Sequence, residues 1–382
     1  MTHEWVAYWW RHFGRPQSSL KRSELFVLAL RIRGRLCGIA PFFIEEERFL
    51  GISARIVRFL GHGVSDYSDF IIAESRDAML QNIVRHLAGY TVEWDMIELR
   101  DFYGASPNRS VLEGLIENAG FARSMGLDNI CRFIHIEGDW EDYYKSRFKN
   151  RRRKEHKREW RNLKAGGDIR LRFVTSLEDE PGLLDIMAEM ERHHPDVKRG
   201  RPGQLNTDAY RKFFEDVFPQ FAMLGWLNIA LMECDGRAVA YYLGFRYNRR
   251  HYTYMSSYLD EFRELGVGKL LMLRMLEHYW LSGDDEIDFL RGDETYKGDW
   301  TTDARQNTRL VVSKRSLHAF YLRWFFFVLL PWMERRLPRV HKALSVASEG
   351  GLTALVRLVY HRLKRVISGG DDGSVQCREK RR

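Results

Sequence analysis

The sequence predicts an α/β (α+β) protein built from a duplicated αβ unit, and three observations carry that expectation. At 382 residues the chain suits two domains better than one. Strand-like and helix-like segments alternate through both halves. Short runs also recur in order. Ala29-Leu30 before a Gly34-Arg35 turn returns as Ala230-Leu231 before Gly236-Arg237, and Ile97-Glu98-Leu99-Arg100 returns as Ile287-Asp288-Phe289-Leu290-Arg291.

In the first half, Trp5, Tyr8, Trp9 and Phe13 give Glu4–Phe13 an aromatic helical face. Leu25–Ile32 and Leu36–Ile44 read as a hairpin across Arg33-Gly34-Arg35, and Ile56–Leu60 as a strand. Ala78–Ala88 and Val111–Ala119 have helical spacing, while Trp94–Arg100 and Ile130–Ile136 read as strands. The segment Lys145–Lys164 holds eleven basic and two acidic residues without proline, which predicts a helix. In the second half, Ile169–Val174 predicts a strand, and Pro181–Glu191 and Asp208–Phe218 helices, the latter capped at Asn206 or Thr207. Leu227–Glu233 and Arg237–Arg246 form a second hairpin about Asp235-Gly236. His251–Tyr258 is a strand, Gly268–Trp280 a helix, Glu286–Leu290 a buried strand and Arg309–Val312 the last strand.

A hydrophobic content of 45%, with 13% aromatics, supports packed cores and excludes a mostly disordered chain. The net charge of +9 is concentrated in the tail, where fifteen basic residues from Lys314 onward face five acidic ones. The rest of the chain is close to neutral, which argues against a general nucleic-acid binder. Cysteines at 37, 131, 234 and 377 never form a C-x-x-C pair, so neither a zinc site nor a disulfide framework is expected, and each reads as a small buried hydrophobe. No metal site is predicted. MTHEWVAYWWRHFG has no secretory pattern, and the longest apolar stretch, Phe320–Met333, is broken by Arg323 and Pro331. A cytoplasmic protein is expected.

The sharpest motif is Arg263-Glu264-Leu265-Gly266-Val267-Gly268, between a strand and a helix. Glycines there let backbone N–H groups converge on an anion at a helix N-terminus, although a plain glycine turn before a helix has the same pattern. The motif resembles the R-x-x-G-x-G/A pyrophosphate loop of GNAT acyltransferases. The run from Asp288 through Arg291-Gly292-Asp293-Glu294 and Lys297 to Trp300 is similar to one branch of these enzymes, the CelD/BcsL family of cellulose and exopolysaccharide operons. That branch is related to the FemAB tandem-GNAT transferases. The resemblance implies two tandem GNAT-like domains, each a twisted mixed sheet flanked by helices. Residues 1–140 would be a degenerate unit without a cofactor loop, since Phe59-Leu60-Gly61-His62-Gly63-Val64-Ser65-Asp66 stands in its place. Residues 141–168 would be a basic linker helix, 169–315 the catalytic unit and 316–382 a basic amphipathic helical tail.

The resemblance further implies an acyltransferase using acetyl-CoA or another acyl-CoA, bound at Arg263–Gly268. The acceptor would be an amine or hydroxyl of a sugar, polysaccharide or envelope precursor. Tyr258 would protonate the leaving thiolate, Asp293 or Glu294 would be the base, and Lys297 would anchor an anionic acceptor or orient the carboxylates. Asp66 and Asp69 could line an acceptor groove between the halves. His193-His194 suits helix capping, because adjacent histidines cannot share one helical face. Two other readings stand beside this one: a FemAB-like transferase using aminoacyl-tRNA, with the basic helix on RNA phosphates, and a non-catalytic membrane-surface subunit of polysaccharide-synthesis machinery. In the tail, Leu352, Leu355, Val356, Val359, Leu363 and Val366 form one stripe opposite Arg357, His361 and Lys364, which predicts docking of 350–367 on an anionic membrane. Phe320–Met333 offers a second apolar helix, either packed on the protein or entering the interface.

Overall fold

The computed structural model describes residues 2–15, 21–49, 51–90, 93–178, 180, 182–193 and 203–337. The first half runs α1 (His3–Phe13), β1 (Lys21–Ile32), β2 (Arg35–Phe49), β3 (Ile52–Phe59), β4 (Ile71–Ile72), α2 (Arg76–Gly89), β5 (Met96–Phe102), α3 (Pro107–Asn118) and β6 (Ala122–His135). Two helices follow, α4 (Trp140–Arg147) and the strongly basic α5 (Asn150–Ala165). The second half runs β7 (Ile169–Val174), α6 (Leu183–His193), α7 (Asp208–Met223), β8 (Leu227–Cys234), β9 (Arg237–Tyr247) and β10 (Arg250–Tyr258). Then come α8 (Val267–Trp280), β11 (Glu286–Arg291), α9 (Thr295–Trp300), β12 (Ala304–Ser313) and α10 (Leu317–Trp324). A π turn at Phe325–Leu329 leads into α11 (Leu330–Arg336).

The duplication is visible in the topology. The β1–β2 and β8–β9 hairpins turn at Arg33-Gly34 and Asp235-Gly236, and all four residues have positive φ. This mirror-image turn matches the twist of the flanking strands and suits Gly in second place. In each half antiparallel pairings, two in the first and three in the second, are followed by a short parallel one. β3 meets β5 only at Ile56–Val57, and β10 meets β11 only at Arg250–Tyr252.

All twelve strands nevertheless form one sheet, in the order β1-β2-β3-β5-β12-β6-β11-β10-β9-β8-β7, with β4 on β2. Its centre is an exchange. β12 lies antiparallel between β5 and β6, and β6 lies antiparallel on β11. Residues 304–313, expected to close the second unit, therefore complete the ladder of the first. Helix α1 crosses over as well: Trp5 meets the rings of Phe213 at 4.9 Å and Tyr254 at 5.5 Å, and its Nε1 donates to Ser65 Oγ at 2.9 Å. The larger core consequently spans both halves, from Trp5 and Phe43 to Leu276 and Trp300.

The single basic helix expected over Lys145–Lys164 is two helices. Phe148 is extended (φ −123°, ψ 124°) and buries its ring against Trp300, at 4.8 Å, which interrupts the helical run. Thr207 takes the N-cap position of α7, but its hydroxyl donates to Gln204 O rather than accepting from the helix. Cys37, Cys131 and Cys234 are free and buried. Pro181, His194 and the tail stripe at 350–367 lie outside the described residues.

Because the halves share β6, β12 and a core, urea should unfold them together, with far-ultraviolet circular dichroism and tryptophan fluorescence tracing one transition. Trp5→Ala should lower the unfolding free energy by about 3 kcal/mol without splitting that transition. Two separated transitions in the wild type would contradict the shared core.

Candidate functional site

The site begins where β10 and β11 separate. Their parallel ladder ends at Tyr252 and Asp288, beyond which Thr253 Oγ1 still donates to Asp288 O at 3.4 Å. Two backbone departures open the gap. β10 carries a bulge between Thr253 and Met255, and in β11 Leu290 has φ +55°. The Asp288 carboxylate fixes the second departure by accepting the Leu290 N–H at 2.7 Å. The gap holds a cavity of about 280 Å³, lined by Thr253–Ser256, Leu290, Arg291, Glu294, Tyr296 and Lys297.

A second cavity of about 450 Å³ lies between the halves. Ser65–Ile71 and Tyr103 form one wall, Trp5 and Phe221 another, and β9 and β10 contribute Phe245, Tyr252 and Tyr254. Asp66, Tyr254 and Leu290 border both cavities. Transfer between a group in one cavity and a group in the other would therefore take place beside Asp66.

The charges at this junction are buried and cross-linked. Arg291 Nε stands 3.1 Å from Asp66 Oδ1, and its Nη1 stands 3.5 Å from Asp101. Arg305, from β12, donates to Glu286 at 2.8 Å and to Asp288 at 3.0 Å, while the Tyr67 hydroxyl donates to Asp288 Oδ2 at 2.8 Å. Burial, reinforced by Asp101 and Asp288 and opposed by Arg291, pushes the Asp66 carboxyl up to about 7. Burial likewise pushes Asp101 and Asp288 up to about 6. A carboxyl poised near neutrality beside a cleft is suited to accepting a proton.

The Arg263–Gly268 segment forms a 3-10 turn (Asp260–Leu265) running into α8. Gly266 is left-handed (φ +68°) and offers no side chain to cap the helix. The first-turn N–H groups of α8 have no intrahelical acceptor and face outward from the helix start. A β-carbon on Gly268 would lie 3.2 Å from the Tyr258 ring. The loop thus fits a pyrophosphate: bare backbone donors at the positive end of a helix, with Arg263 exposed beside them.

The other expected site residues are only partly brought together. Glu294 and Lys297 line the smaller cavity, paired at 2.9 Å. Lys297 is buried and also donates to Arg291 O at 2.9 Å, so it braces the turn after β11. Tyr258 packs on Gly268 and lines neither cavity. Asp293 is exposed, lines neither cavity and is held by Arg132 at 2.6 Å. Asp66, which the sequence placed only on a groove wall, borders both cavities, whereas of the two carboxylates expected as base Glu294 lines the smaller cavity and Asp293 lines neither. Asp101, Asp288 and Tyr67 were missed. A signal for Asp288 was present, since Glu286 and Asp288 are acids inside an otherwise apolar strand. His193 pairs with Glu189 within α6, at 2.8 Å, far from any shared use with the cavities.

Residues 150–298 match the family model of the acetyltransferase (GNAT) domain. The second half carries a GNAT acyltransferase domain. No curated protein matches the chain. Among solved structures, FemX aligns at a TM-score of 0.51 with 11% identity, over 81% of this chain and 96% of that one, which supports the shared fold. The C-terminal domain of a putative lysylphosphatidylglycerol synthetase from Agrobacterium fabrum aligns at 0.49 with 10% identity, over 91% and 98%. A tandem GNAT protein from the clavulanic acid biosynthesis pathway aligns at 0.41 with 11% identity, over 82% and 96%.

The raised carboxyl of Asp66 makes a stability prediction. The folded state holds this proton more tightly than the unfolded chain, so the group costs stability as pH rises from about 4 to about 7. Asp66→Asn should therefore gain on the wild type by about 3 kcal/mol between pH 5 and pH 8 in urea titrations. A pH-independent difference would show that Asp66 titrates normally.

Proposed function

We propose that this chain is an acyl-CoA-dependent N- or O-acyltransferase, with acetyl-CoA as donor, acting on a sugar, polysaccharide or cell-envelope precursor. The observation that carries the reading is the meeting of two cavities at Asp66, where β10 and β11 part. In this reading the CoA pyrophosphate sits on the Gly266–Gly268 backbone, and the thioester lies in the smaller cavity along β10. The acceptor occupies the aromatic cavity between the halves, whose rings suit the faces of sugars. As the acceptor nitrogen or oxygen bonds to the acyl carbon, its proton passes to Asp66 and the carbon–sulfur bond breaks. Tyr296, which lines the smaller cavity, takes the role of proton donor to the departing thiolate that the sequence reading gave to Tyr258.

Membership of the CelD/BcsL branch, contact with polysaccharide-synthesis machinery and a cytoplasmic position, peripheral on the inner face of the plasma membrane through 350–367, belong to the same proposal. They rest on the Asp288–Trp300 run and the tail composition. One observation favours the tRNA-dependent alternative. The outer face of α5 bears a groove lined by Arg151, Lys154, Lys157, Arg158 and Arg161, with Arg274 of α8 beside it. Saturable binding of acetyl-CoA separates the two readings, since a tRNA-dependent enzyme needs none.

If Asp66 is the base, kcat/KM with the true acceptor should rise with pH through an apparent pKa near 7, because only the carboxylate accepts the proton. Asp66→Asn should lower kcat by about a hundredfold or more and flatten that limb, whereas Asp293→Asn should change kcat less than about threefold. An unchanged pH profile in Asp66→Asn would remove Asp66 from the mechanism. For the cofactor loop, Gly268→Val should fold normally yet weaken acetyl-CoA binding at least about tenfold by calorimetry. Wild-type affinity in that variant would remove the loop from the cofactor site.

A further inference from the structure

The C-terminal helical segment 317–336 is apolar on two opposite sides, and only one of them is covered. Leu322, Phe325 and Phe326 are buried against Phe49, Ile56 and Met96 of the sheet, and Ala319 is buried as well. On the other side Leu317 is 90% exposed, Phe320 69%, Val328 54% and Trp332 48%, with Tyr321 and Trp324 each at 43%. Leu317, Phe320, Trp324, Val328 and Trp332 recur every three or four residues, with Tyr321 beside Phe320, and form one stripe along the helix. A helix that is apolar all round belongs in a core or against a lipid phase, and this one has a core on one side only.

Charge distinguishes the second partner. Lys314, Arg315 and Arg323 line a groove of about 410 Å³ together with Leu317 and Phe320, so cations and exposed apolar groups share one opening. Arg335 and Arg336 stand at the far end of the stripe, and Glu334 is the acid near them. The 45 residues beyond Leu337 lie outside the described part and leave from this end with a basic excess. Aromatic rings flanked by arginine and lysine suit the boundary between headgroups and acyl chains, where rings enter the interface and cations meet phosphates. Among the described residues, no helix is long and apolar enough to cross a membrane.

We propose that the 317–336 face docks on the surface of an anionic phospholipid bilayer, with the Lys314–Arg315–Arg323 groove taking a lipid phosphate and Phe320, Trp324 and Trp332 entering the interface. This surface lines neither cavity and belongs to a different segment of the chain from 350–367, and the proposal holds whether or not the acceptor assignment does.

Flotation of the full chain with vesicles tests it. The wild type should float with phosphatidylcholine vesicles containing phosphatidylglycerol, not with phosphatidylcholine alone, and should be released by about 0.5 M salt. Two full-length variants probe the face: Phe320→Ser with Trp324→Ser and Trp332→Ser, and Arg315→Glu with Arg323→Glu. Each should lower the vesicle-bound fraction at least about tenfold at an unchanged thermal midpoint. The charge variant keeps the test valid if the apolar one misfolds. Binding of the charge variant equal to wild type would assign docking to the 350–367 tail and overturn the proposal. Failure of the wild type to bind anionic vesicles would overturn it too, as would a dimer in sedimentation that the same substitutions dissociate in place of any vesicle binding.

Discussion

The candidate site depends on one buried carboxylate, Asp288. Its two oxygens accept from Leu290 N–H, from the Tyr67 hydroxyl and from Arg305, which brings together β11, the first-half loop and the exchanged strand β12. The local bond to Leu290 holds a branched residue at positive φ, a conformation that costs of the order of 1 kcal/mol and persists only where surrounding contacts enforce it. That distortion ends the ladder with β10 and leaves an opening where a sheet would otherwise continue. Asp288 is fully buried, and its ion pair with Arg305 is shared with Glu286. Removing either side would strand a charge in the interior, which is far more costly than the pair is favourable.

The two halves follow the same plan but use it differently. In the second half, the connection after β10 is the glycine turn into α8. In the first half, the corresponding connection after β3 is the loop through Gly61 and Gly63, both at positive φ, and it supplies Ser65–Ile71 to the cavity between the halves. A segment that no longer presents a bare helix start has become a wall facing the other unit. Arg291 crosses that gap to Asp66 and Asp101, and Tyr254 donates to Val64 O at 3.0 Å. The exchange of β6 and β12 then sets the wall at a constant distance from β10. A hinge between independent domains would not keep Asp66 beside Leu290.

The repeat was legible because turn chemistry and strand alternation are local. Arg33-Gly34 and Asp235-Gly236 announce their hairpins from two residues, and Ile169–Val174 was read to the residue. Buried strands such as Glu286–Arg291 and amphipathic helices were readable for the same reason. The exchange was not, because nothing within Ala304–Ser313 says which neighbours it will pair with. Helix α9 was also missed. Its six residues include Gly298, and it is held in place by Lys297 bonding back to the strand and by Trp300 in the aromatic cluster. The glycine turn before α8 was legible from its motif, because the turn and the helix start are local. The approach of Asp66 to β10 and β11 was not, because it depends on pairing between distant strands.

Asp293 and Asp66 show how burial separates two carboxylates that a sequence alone does not. Both carboxylates have an arginine within about 3 Å, so the partner alone does not distinguish them. Solvent does. Asp293 is half exposed, and water supports its charge as well as Arg132 does. Asp66 is 9% exposed and shares its surroundings with two further buried acids, so its charged form loses hydration and meets repulsion that one arginine only partly offsets. The second situation raises the Asp66 carboxyl to about 7. Strand β12 contributes to the position of that carboxyl rather than to its charge: Asn307 donates to Asp66 O at 2.7 Å and holds the loop against the cavity, so the placement of Asp66 draws on a residue some 240 positions away in the chain.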